Sequence, residues 1–267
     1  MPKIEKELFV DGVRKWFAEY ANYKSSDDYQ AVIGLSGGKD SSVVAALLTE
    51  ALGAKHVNGV IIPNGRMRDD DYGNAYNLAE YCLNIPNAVV NIGPMVDKML
   101  EECQWHDFGD IREKPAVTTN LPARMRMTTL YTIANNINGR VIGTGNKSEI
   151  ICSYYTLWGD GSCDFDPIAD LFVDEVIELG RQLNLPEEYL LKPPDDGMSG
   201  KTDEEKLGFK YDDVKTFWTS TYEDGVRKLG KDLYCKIADR VDSTHFKRNL
   251  THIPYIDKKT GKLVNIN

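Results

Sequence analysis

The chain has 267 residues, of which 42% are hydrophobic and 27% charged, and its formal net charge is −9. This composition is that of an ordinary globular protein with room for one large α/β domain or two small ones. The acidic charge argues against nucleic-acid and membrane-surface partners, and no run of about eighteen apolar residues predicts a membrane span. The five cysteines include no Cys-x-x-Cys pair, and the N-terminus lacks the apolar core of a signal peptide. These features predict a cytoplasmic protein with reduced thiols.

The hydrophobic pattern predicts a first amphipathic helix at 4–20 and then an alternation of strands and helices. Strands are predicted at 31–35, 57–62, 88–92 and 140–143, and helices at 40–52, 70–83, 95–103 and 121–136. Such alternation is typical of a mainly parallel sheet with helices on both faces, and this doubly wound α/β arrangement is the predicted fold class. Beyond residue 170 the pattern becomes helical, at 171–183 and 212–249, without a convincing domain boundary.

The turn between the first strand and the following helix is the most informative segment. It reads Ile-Gly-Leu-Ser-Gly-Gly-Lys-Asp-Ser-Ser over 33–42. A Gly-rich turn before a helix presents backbone N–H groups to an anion, and the helix dipole favours negative charge there. Gly37 and Gly38 allow positive φ and close approach of a phosphate, and Lys39 adds a cation. Because Asp40 would repel a phosphate, its presence predicts Mg²⁺ between the two.

The spacing of this turn differs from that of the common ATPase loop. Three residues separate Gly34 from Gly38, whereas the ATPase motif has four, and Asp40 follows the lysine. The turn resembles the pyrophosphate-binding loop of the N-type ATP pyrophosphatases, which cleave ATP between its α and β phosphates. That resemblance implies the Rossmann-like fold of the adenine nucleotide alpha hydrolases. The alternative is a Ser/Gly-rich turn that binds nothing.

A second polar segment, Gly-Thr-Gly-Asn-Lys-Ser-Glu at 143–149, also follows a predicted strand. Because ligands bind at the carboxyl ends of parallel strands, we expect both segments at the same edge of the sheet. Thr144 and Lys147 are suited to phosphate or ribose, and Glu149 is a second carboxylate for the metal. Taken alone, the segment is also an ordinary helix start with an acidic first turn.

Three further segments carry polar groups suited to an anionic substrate. Arg124 and Arg126 lie at a predicted helix start, where a guanidinium binds phosphate or carboxylate in a bidentate way; surface ion pairs are the alternative. A tight turn at 158–164 carries several carboxylates, and a plain polar turn is its alternative. The segment 192–208 is rich in Gly, Pro and charge, which favours either a functional lid or a solvated loop.

Together these motifs resemble those of ammonia-dependent NAD synthetase and occur in the same order. The matching segments are 34–41, 120–126, 143–149, 159–164, 203–208 and 246–248. They span nearly the whole chain, so the resemblance implies a single synthetase domain over 1–267, with a helical part from about residue 170. The length leaves no room for the glutaminase domain of the glutamine-dependent forms.

The resemblance implies the last step of NAD biosynthesis, in which ammonia amidates nicotinate adenine dinucleotide (deamido-NAD). ATP activates the substrate as an adenylate, and AMP and pyrophosphate are released. It also implies Mg²⁺ as cofactor and a homodimer as the functional form. The implied ATP-binding residues are Gly34, Leu35, Ser36, Gly37, Gly38, Lys39, Asp40, Ser41 and Thr144. The implied Mg²⁺ ligands are Asp40 and Glu149, and the implied deamido-NAD contacts are Arg124, Asp164, Phe246 and Lys247. The lid would contribute Lys192, Asp195 and Lys201.

The chain departs from the common family pattern at three positions near the expected phosphates. Leu157 and Val173 stand where the family often has lysine, and Asp195 stands where it often has threonine. Losing a donor to developing charge can cost about 10²–10³ in rate. We therefore expect replacement charge from elsewhere and name Lys201 as the candidate; Lys201→Ala with unchanged kcat/KM for ATP would refute this.

Two classes of alternative function share the pyrophosphate-binding loop. The first contains tRNA-modifying adenylating or thiolating enzymes and GMP synthetase, which carry basic domains, paired cysteines or a different dimerisation domain. The second is a nucleotide-binding sensor without catalysis, which the three departures favour and the retained Asp40 and Glu149 disfavour. ATP binding without AMP formation would reveal a sensor.

Overall fold

The computed structural model describes residues 4–65, 69–103, 109–191 and 202–248, together with 255–256 and 263–264. The strands are β1 (Ala31–Gly34), β2 (Val57–Ile61), β3 (Asn87–Val89), β4 (Arg140–Ile142), β5 (Tyr255–Ile256) and β6 (Leu263–Val264). The helices are α1 (Lys6–Glu19), α2 (Lys39–Leu52), α3 (Asp69–Asn77), α4 (Gly93–Glu102), α5 (Pro115–Asn136), α6 (Lys147–Cys152), α7 (Val173–Gln182), α8 (Glu187–Leu190), α9 (Asp203–Leu207), α10 (Tyr211–Thr219), α11 (Tyr222–Leu229), α12 (Lys231–Ser243) and α13 (His245–Arg248).

The chain forms two compact units. The first comprises Met1–Lys147 and Tyr155–Gly208, and the second comprises Ser148–Tyr154 and Phe209–Asn267. None of the helices in the described ranges has an apolar stretch long enough to cross a bilayer.

The first unit is built on a four-stranded parallel sheet in the order β3-β2-β1-β4. The chain fills this sheet outward from β1 to β3 and then returns to place β4 on the other side of β1. Strand order therefore switches between β1 and β4, which is where ligands bind in sheets of this kind.

Both faces of the central strand β1 are buried, as the predicted doubly wound α/β class requires. Successive side chains of a strand point to opposite faces. Ala31 and Ile33 belong to one apolar core, which includes side chains of α1, α2 and α7. Val32 lies in the other core, with side chains of α4 and α5. Helices thus cover both faces, and the prediction of fold class is confirmed.

Helix α5 begins earlier than the sequence pattern predicts. The predicted helix spans 121–136, which would place Pro122 in the first turn, where proline is tolerated. The helix instead starts at Pro115 and runs for 22 residues, with Pro122 inside it. Pro115 itself occupies the first turn, where a proline costs no helical hydrogen bond.

Two other predicted segments differ in detail. The third strand is shorter than predicted, although hydrogen bonds from the Val90 N–H to the Ile61 oxygen and from the Ile92 N–H to the Pro63 oxygen extend the pairing irregularly. The C-terminal part of the segment 192–208 is helix α9, not loop. Thr202 caps it, with reciprocal bonds between Thr202 and Glu205, and its sequence Thr-x-x-Glu is the usual signal for such a cap.

In the second unit, the predicted helical segment 212–249 divides into helices α10 to α13. The ring of Tyr234 on α12 packs against the backbone of α11 at Gly225, where a Cβ would lie 2.6 Å from the ring. Arg248 binds the end of α6: its guanidinium donates to the Ile151 carbonyl at 2.8 Å and to the Ser153 hydroxyl at 2.6 Å.

Candidate active site

The loop between β1 and α2 has the shape of an anion-binding turn. Gly37 has φ +75°, and a Cβ there would lie 2.4 Å from the backbone oxygen of Asp71, so only glycine fits without a shift. The Gly38 N–H donates to the Ser36 hydroxyl at 3.3 Å, and the Ser41 hydroxyl lies 3.1 Å from that of Ser36. These bonds fix the turn at the start of α2, where helix N–H groups lack helical partners.

Asp40 lies in the first turn of α2 and joins the two predicted loops. Its Oδ2 accepts from Lys39 Nζ at 2.7 Å, in an ion pair whose lysine is 5% exposed. Its Oδ1 lies 3.4 Å from Nδ2 of Asn146, in the loop after β4. Since β1 and β4 are neighbouring parallel strands, their carboxyl ends bring these loops together, as the sequence predicted.

The segment after Cys163 holds the β4 loop in place. The Gly143 N–H donates to the Phe165 oxygen at 2.8 Å, and the Gly145 N–H donates to Asp166 Oδ2 at 3.2 Å. Lys147, which the sequence suggested for phosphate or ribose, pairs with Asp170 at 2.6 Å. Thr144 lies in this loop, between the two glycines whose N–H groups are held.

Asp166 is a site residue that the sequence did not reveal. Its Oδ1 is buried and has no hydrogen-bond partner among the described residues. Burial, together with the negative charge of Asp40, raises the pKa of this carboxyl to about 7. Two carboxylates thus lie near each other at the edge of the sheet, an arrangement that a cation would stabilise. No signal in the sequence distinguished Asp166 from its acidic neighbours.

The start of α5 and the turn at 156–160 form one polar network. The Thr156 hydroxyl donates to Asn120 Oδ1 at 2.8 Å, and the Thr156 N–H donates to Asp160 Oδ1 at the same distance. Arg124 Nε donates to the Leu157 oxygen at 3.2 Å. Two of the predicted substrate-binding segments are therefore in contact with each other.

Arg126 and Asp160 also belong to this network, with Arg126 half-buried and Asp160 at the surface. Arg126 Nε donates to the carbonyl of Ile62 at 3.1 Å. Burial lowers the pKa of the Arg126 guanidinium and raises the pKa of the Asp160 carboxyl. The bond from Arg126 to Ile62 joins α5 to the end of β2, whereas Arg124 is exposed.

Asp164, a predicted substrate contact, binds protein groups with both oxygens. Its Oδ2 accepts the Val141 N–H at 2.8 Å, and its Oδ1 accepts the Tyr131 hydroxyl at 3.1 Å. The residue is nevertheless exposed, so lone pairs remain for a further donor.

Three predicted site residues lie in the second unit. Glu149 is in the first turn of α6. Phe246, on α13, is 61% exposed. Lys247 Nζ donates to the Ser153 oxygen at 3.1 Å. The predicted lid residues Lys192, Asp195 and Lys201 lie outside the described residues.

The cysteines are free thiols. All five lie in the described ranges and none forms a disulfide. Burial raises the pKa of Cys152 and Cys163 to about 12, so both are protonated at neutral pH and are poor nucleophiles.

The fold and the loop define the class of protein: a doubly wound α/β nucleotide-binding protein with a pyrophosphate-type loop at its switch point. The family model for NAD synthase matches residues 10–251. The chain is 39% identical over 240 residues to the NH(3)-dependent NAD(+) synthetase of Methanococcoides burtonii, covering 86% of this chain and 89% of the relative. It is 34% identical over 255 residues to that of Thermoplasma volcanium, covering 94% and 98%.

Solved structures agree with this assignment. An NMN synthetase from Francisella tularensis superposes with a TM-score of 0.78 and 30% identity, covering 94% of this chain and 99% of that one. An NH3-dependent NAD synthetase from Campylobacter jejuni superposes with a TM-score of 0.74 and 26% identity, covering 96% and 100%. The chain belongs to the NAD synthase family. It is accordingly a ligase of NAD biosynthesis.

Proposed function

We propose that this chain catalyses the ATP-dependent amidation of deamido-NAD by ammonia, the reaction of the ammonia-dependent NAD synthetases. The observation that carries the proposal is the meeting of the β1 and β4 loops at the switch point, through Asp40 and Asn146. ATP is the co-substrate, and the loop around Gly37 is shaped for its phosphates.

The reaction needs no protein nucleophile. A carboxylate oxygen of the nicotinate attacks the α-phosphorus of ATP, the bond from that phosphorus to the bridging oxygen breaks, and pyrophosphate leaves. Ammonia then attacks the activated carbonyl carbon, loses a proton, and AMP leaves with the electrons of the broken C–O bond. Residues 34–41 bind the departing pyrophosphate through backbone N–H groups, and Thr144 contacts ATP. Catalysis is positioning and charge stabilisation.

The residues present fit a magnesium ion. Oxygen ligands are those that Mg²⁺ prefers. Asp40 offers a carboxylate at the phosphate loop, and the buried Oδ1 of Asp166 lacks a partner among the described residues. We propose Asp40 as a ligand, with Glu149 as a second; bound there, the ion would neutralise phosphate charge. The described residues contain no group of three or more acidic, His or Cys side chains placed to hold a metal.

We further propose that Arg124, Asp164, Phe246 and Lys247 bind deamido-NAD and that the functional form is a homodimer. The exposure of Phe246 supports a partner for that ring. In the first unit, an apolar cleft of about 430 Å³ between α4 and α5 ends at Arg124 and is lined by Met99 and Leu121. Light scattering during gel filtration tests the dimer, and a monomer that retains full activity would refute it.

We also propose a domain organisation, a cellular compartment and a lid for this chain. The chain is a single synthetase domain, which the family match over 10–251 supports. It works in the cytoplasm, which the five unpaired cysteines support. The predicted lid, in the segment 192–208, contributes Lys192, Asp195 and Lys201 to the active site.

A second substrate deserves a place in the assay. The similarity to an NMN synthetase at 30% identity favours a smaller acid, the nicotinate mononucleotide, as the group amidated. The same carboxylate would be activated in the same way, so the loops at the switch point do not separate the two reactions.

The decisive experiment mixes the protein with ATP, Mg²⁺, ammonium and either acid, and quantifies products by chromatography. Equal amounts of NAD, AMP and pyrophosphate from deamido-NAD support the proposal. Faster amidation of the mononucleotide favours the second candidate. ATP binding without turnover of either acid refutes both and favours a sensor. Excess EDTA should abolish product formation, and activity that persists would refute the proposed dependence on Mg²⁺.

A further inference from the structure

A buried lysine is paired with the carboxylate proposed to hold magnesium. Lys39 is the first residue of α2, and its side chain is only 5% exposed. Its ammonium lies 2.7 Å from Asp40 Oδ2, and Asn146 Nδ2 lies 3.4 Å from Oδ1. Each oxygen of Asp40 therefore already has a hydrogen-bond donor beside it.

A divalent cation and the lysine compete for the same carboxylate. Mg²⁺ binds oxygens at about 2.0–2.1 Å and tolerates little deviation from octahedral geometry. An ammonium at hydrogen-bond distance from one of those oxygens would repel the ion, and in a poorly solvated site this repulsion is only weakly screened. The ammonium must leave Asp40 for the metal to bind well.

We infer that Lys39 is an internal counter-ion of Asp40 that gives up the carboxylate when a divalent cation binds there and turns to the pyrophosphate of ATP. This inference rests on the proposed function. Lysine suits the exchange, since its charge sits on a flexible four-carbon stem with three donors. Asp40 stays neutralised throughout, and the freed ammonium meets the negative charge that develops on the leaving group. Lys39 thereby supplies a cation that Leu157 and Val173 do not.

The test measures metal binding without catalysis. Binding of Mn²⁺ to the full-length protein, without nucleotide, is titrated by electron paramagnetic resonance for wild type, Lys39→Met and Lys39→Arg. The control is Lys6→Met, which removes another paired lysine, one bonded to Glu50 near the opposite end of α2 from Lys39. We expect Lys39→Met to tighten Mn²⁺ binding about tenfold, because the competitor is gone. Lys39→Arg and Lys6→Met should leave it near the wild-type value.

Activity provides the second readout. Lys39→Met should lower kcat for NAD formation by about 10²-fold, the usual loss for one donor to developing charge. Unchanged or weaker Mn²⁺ binding by Lys39→Met would overturn the inference, as would tighter binding by Lys39→Arg if the methionine variant does not fold. Because Mn²⁺ binding is measured without substrate, the two failures are distinct. If wild type forms NAD but Lys39→Met has an unaltered Mn²⁺ affinity, the exchange of Lys39 is refuted. If Lys39→Met binds Mn²⁺ more tightly but wild type forms no NAD, the proposed function is refuted.

Discussion

Asp166→Asn should change the pH dependence of folding. Burial raises the pKa of this carboxyl from 3.8 to about 7. A raised pKa means that its contribution to the free energy of unfolding is fully present below about pH 3.8 and is lost as the pH rises through about 7. A shift of about three units corresponds to roughly 4 kcal/mol in total, at about 1.36 kcal/mol per unit.

Only part of that loss in the free energy of unfolding falls within the pH range in which unfolding is easily measured. The unfolded carboxyl is already ionised at pH 6, so between pH 6 and pH 8.5 the change comes from the native state alone. It amounts to about 1.4 kcal/mol, a tenfold change in the folding equilibrium. Asparagine cannot ionise, so the variant lacks this slope whatever its absolute stability.

The assay is urea unfolding of both proteins at pH 6 and pH 8.5, with EDTA present to exclude bound metal. We expect the variant to gain about 1.4 kcal/mol relative to wild type over this range. Other titrating groups are shared by the two proteins and cancel. Asp97→Asn, an exposed carboxylate on α4, is the matched control and should show no such gain. A difference between Asp166→Asn and wild type that is the same at both pH values would refute the reasoning.

Three further substitutions test the site. Gly37→Ala places a Cβ 2.4 Å from a backbone oxygen at φ +75°. It should lower the free energy of unfolding by about 1–2 kcal/mol and abolish most ATP affinity. Melting curves should show that Gly12→Ala, in open space on α1, is no less stable than wild type. Thr156→Val loses its bond to α5; urea unfolding should show a loss of about 1 kcal/mol, and an unchanged midpoint would contradict this. Phe246→Ala should raise the KM for deamido-NAD about tenfold without lowering the melting temperature. Leu8→Ala, equally exposed on α1, should change neither; equal effects of both would argue against a substrate contact.

The sequence predicted best where one local pattern carries the information. The loop after β1 combines an apolar strand, glycines and a helix start within a dozen residues, and each requirement is met locally: Gly37 has positive φ and Gly38 caps α2. The parallel sheet followed from alternation for the same reason. Element boundaries were harder, since Pro115 and Pro122 are both plausible helix starts and only packing against the sheet selects the first.

The sequence could not predict what depends on neighbours in space. Asp166 is one of several acidic residues in its segment, and only the approach of the β4 loop and of Asp40 makes its carboxyl unusual. The burial of Lys39 was equally hidden, because a lysine in a polar turn is normally solvated. Asp164 was predicted as a substrate contact, but its bonds to Tyr131 and Val141 depend on the pairing of its segment with β4 at the edge of the sheet.

The strand order explains why these hidden features occur together. Strand β1 has β2 on one side and β4 on the other, and the chain reaches β4 only after leaving the sheet at β3. The loops after β1 and β4 therefore meet at one edge and are free to receive a ligand between them. The same edge brings the carboxylates of Asp40 and Asp166 near each other, where their negative charges repel. The buried lysine paired with Asp40 relieves that repulsion, so the topology that creates the proposed nucleotide site also accounts for an internal counter-ion at Lys39.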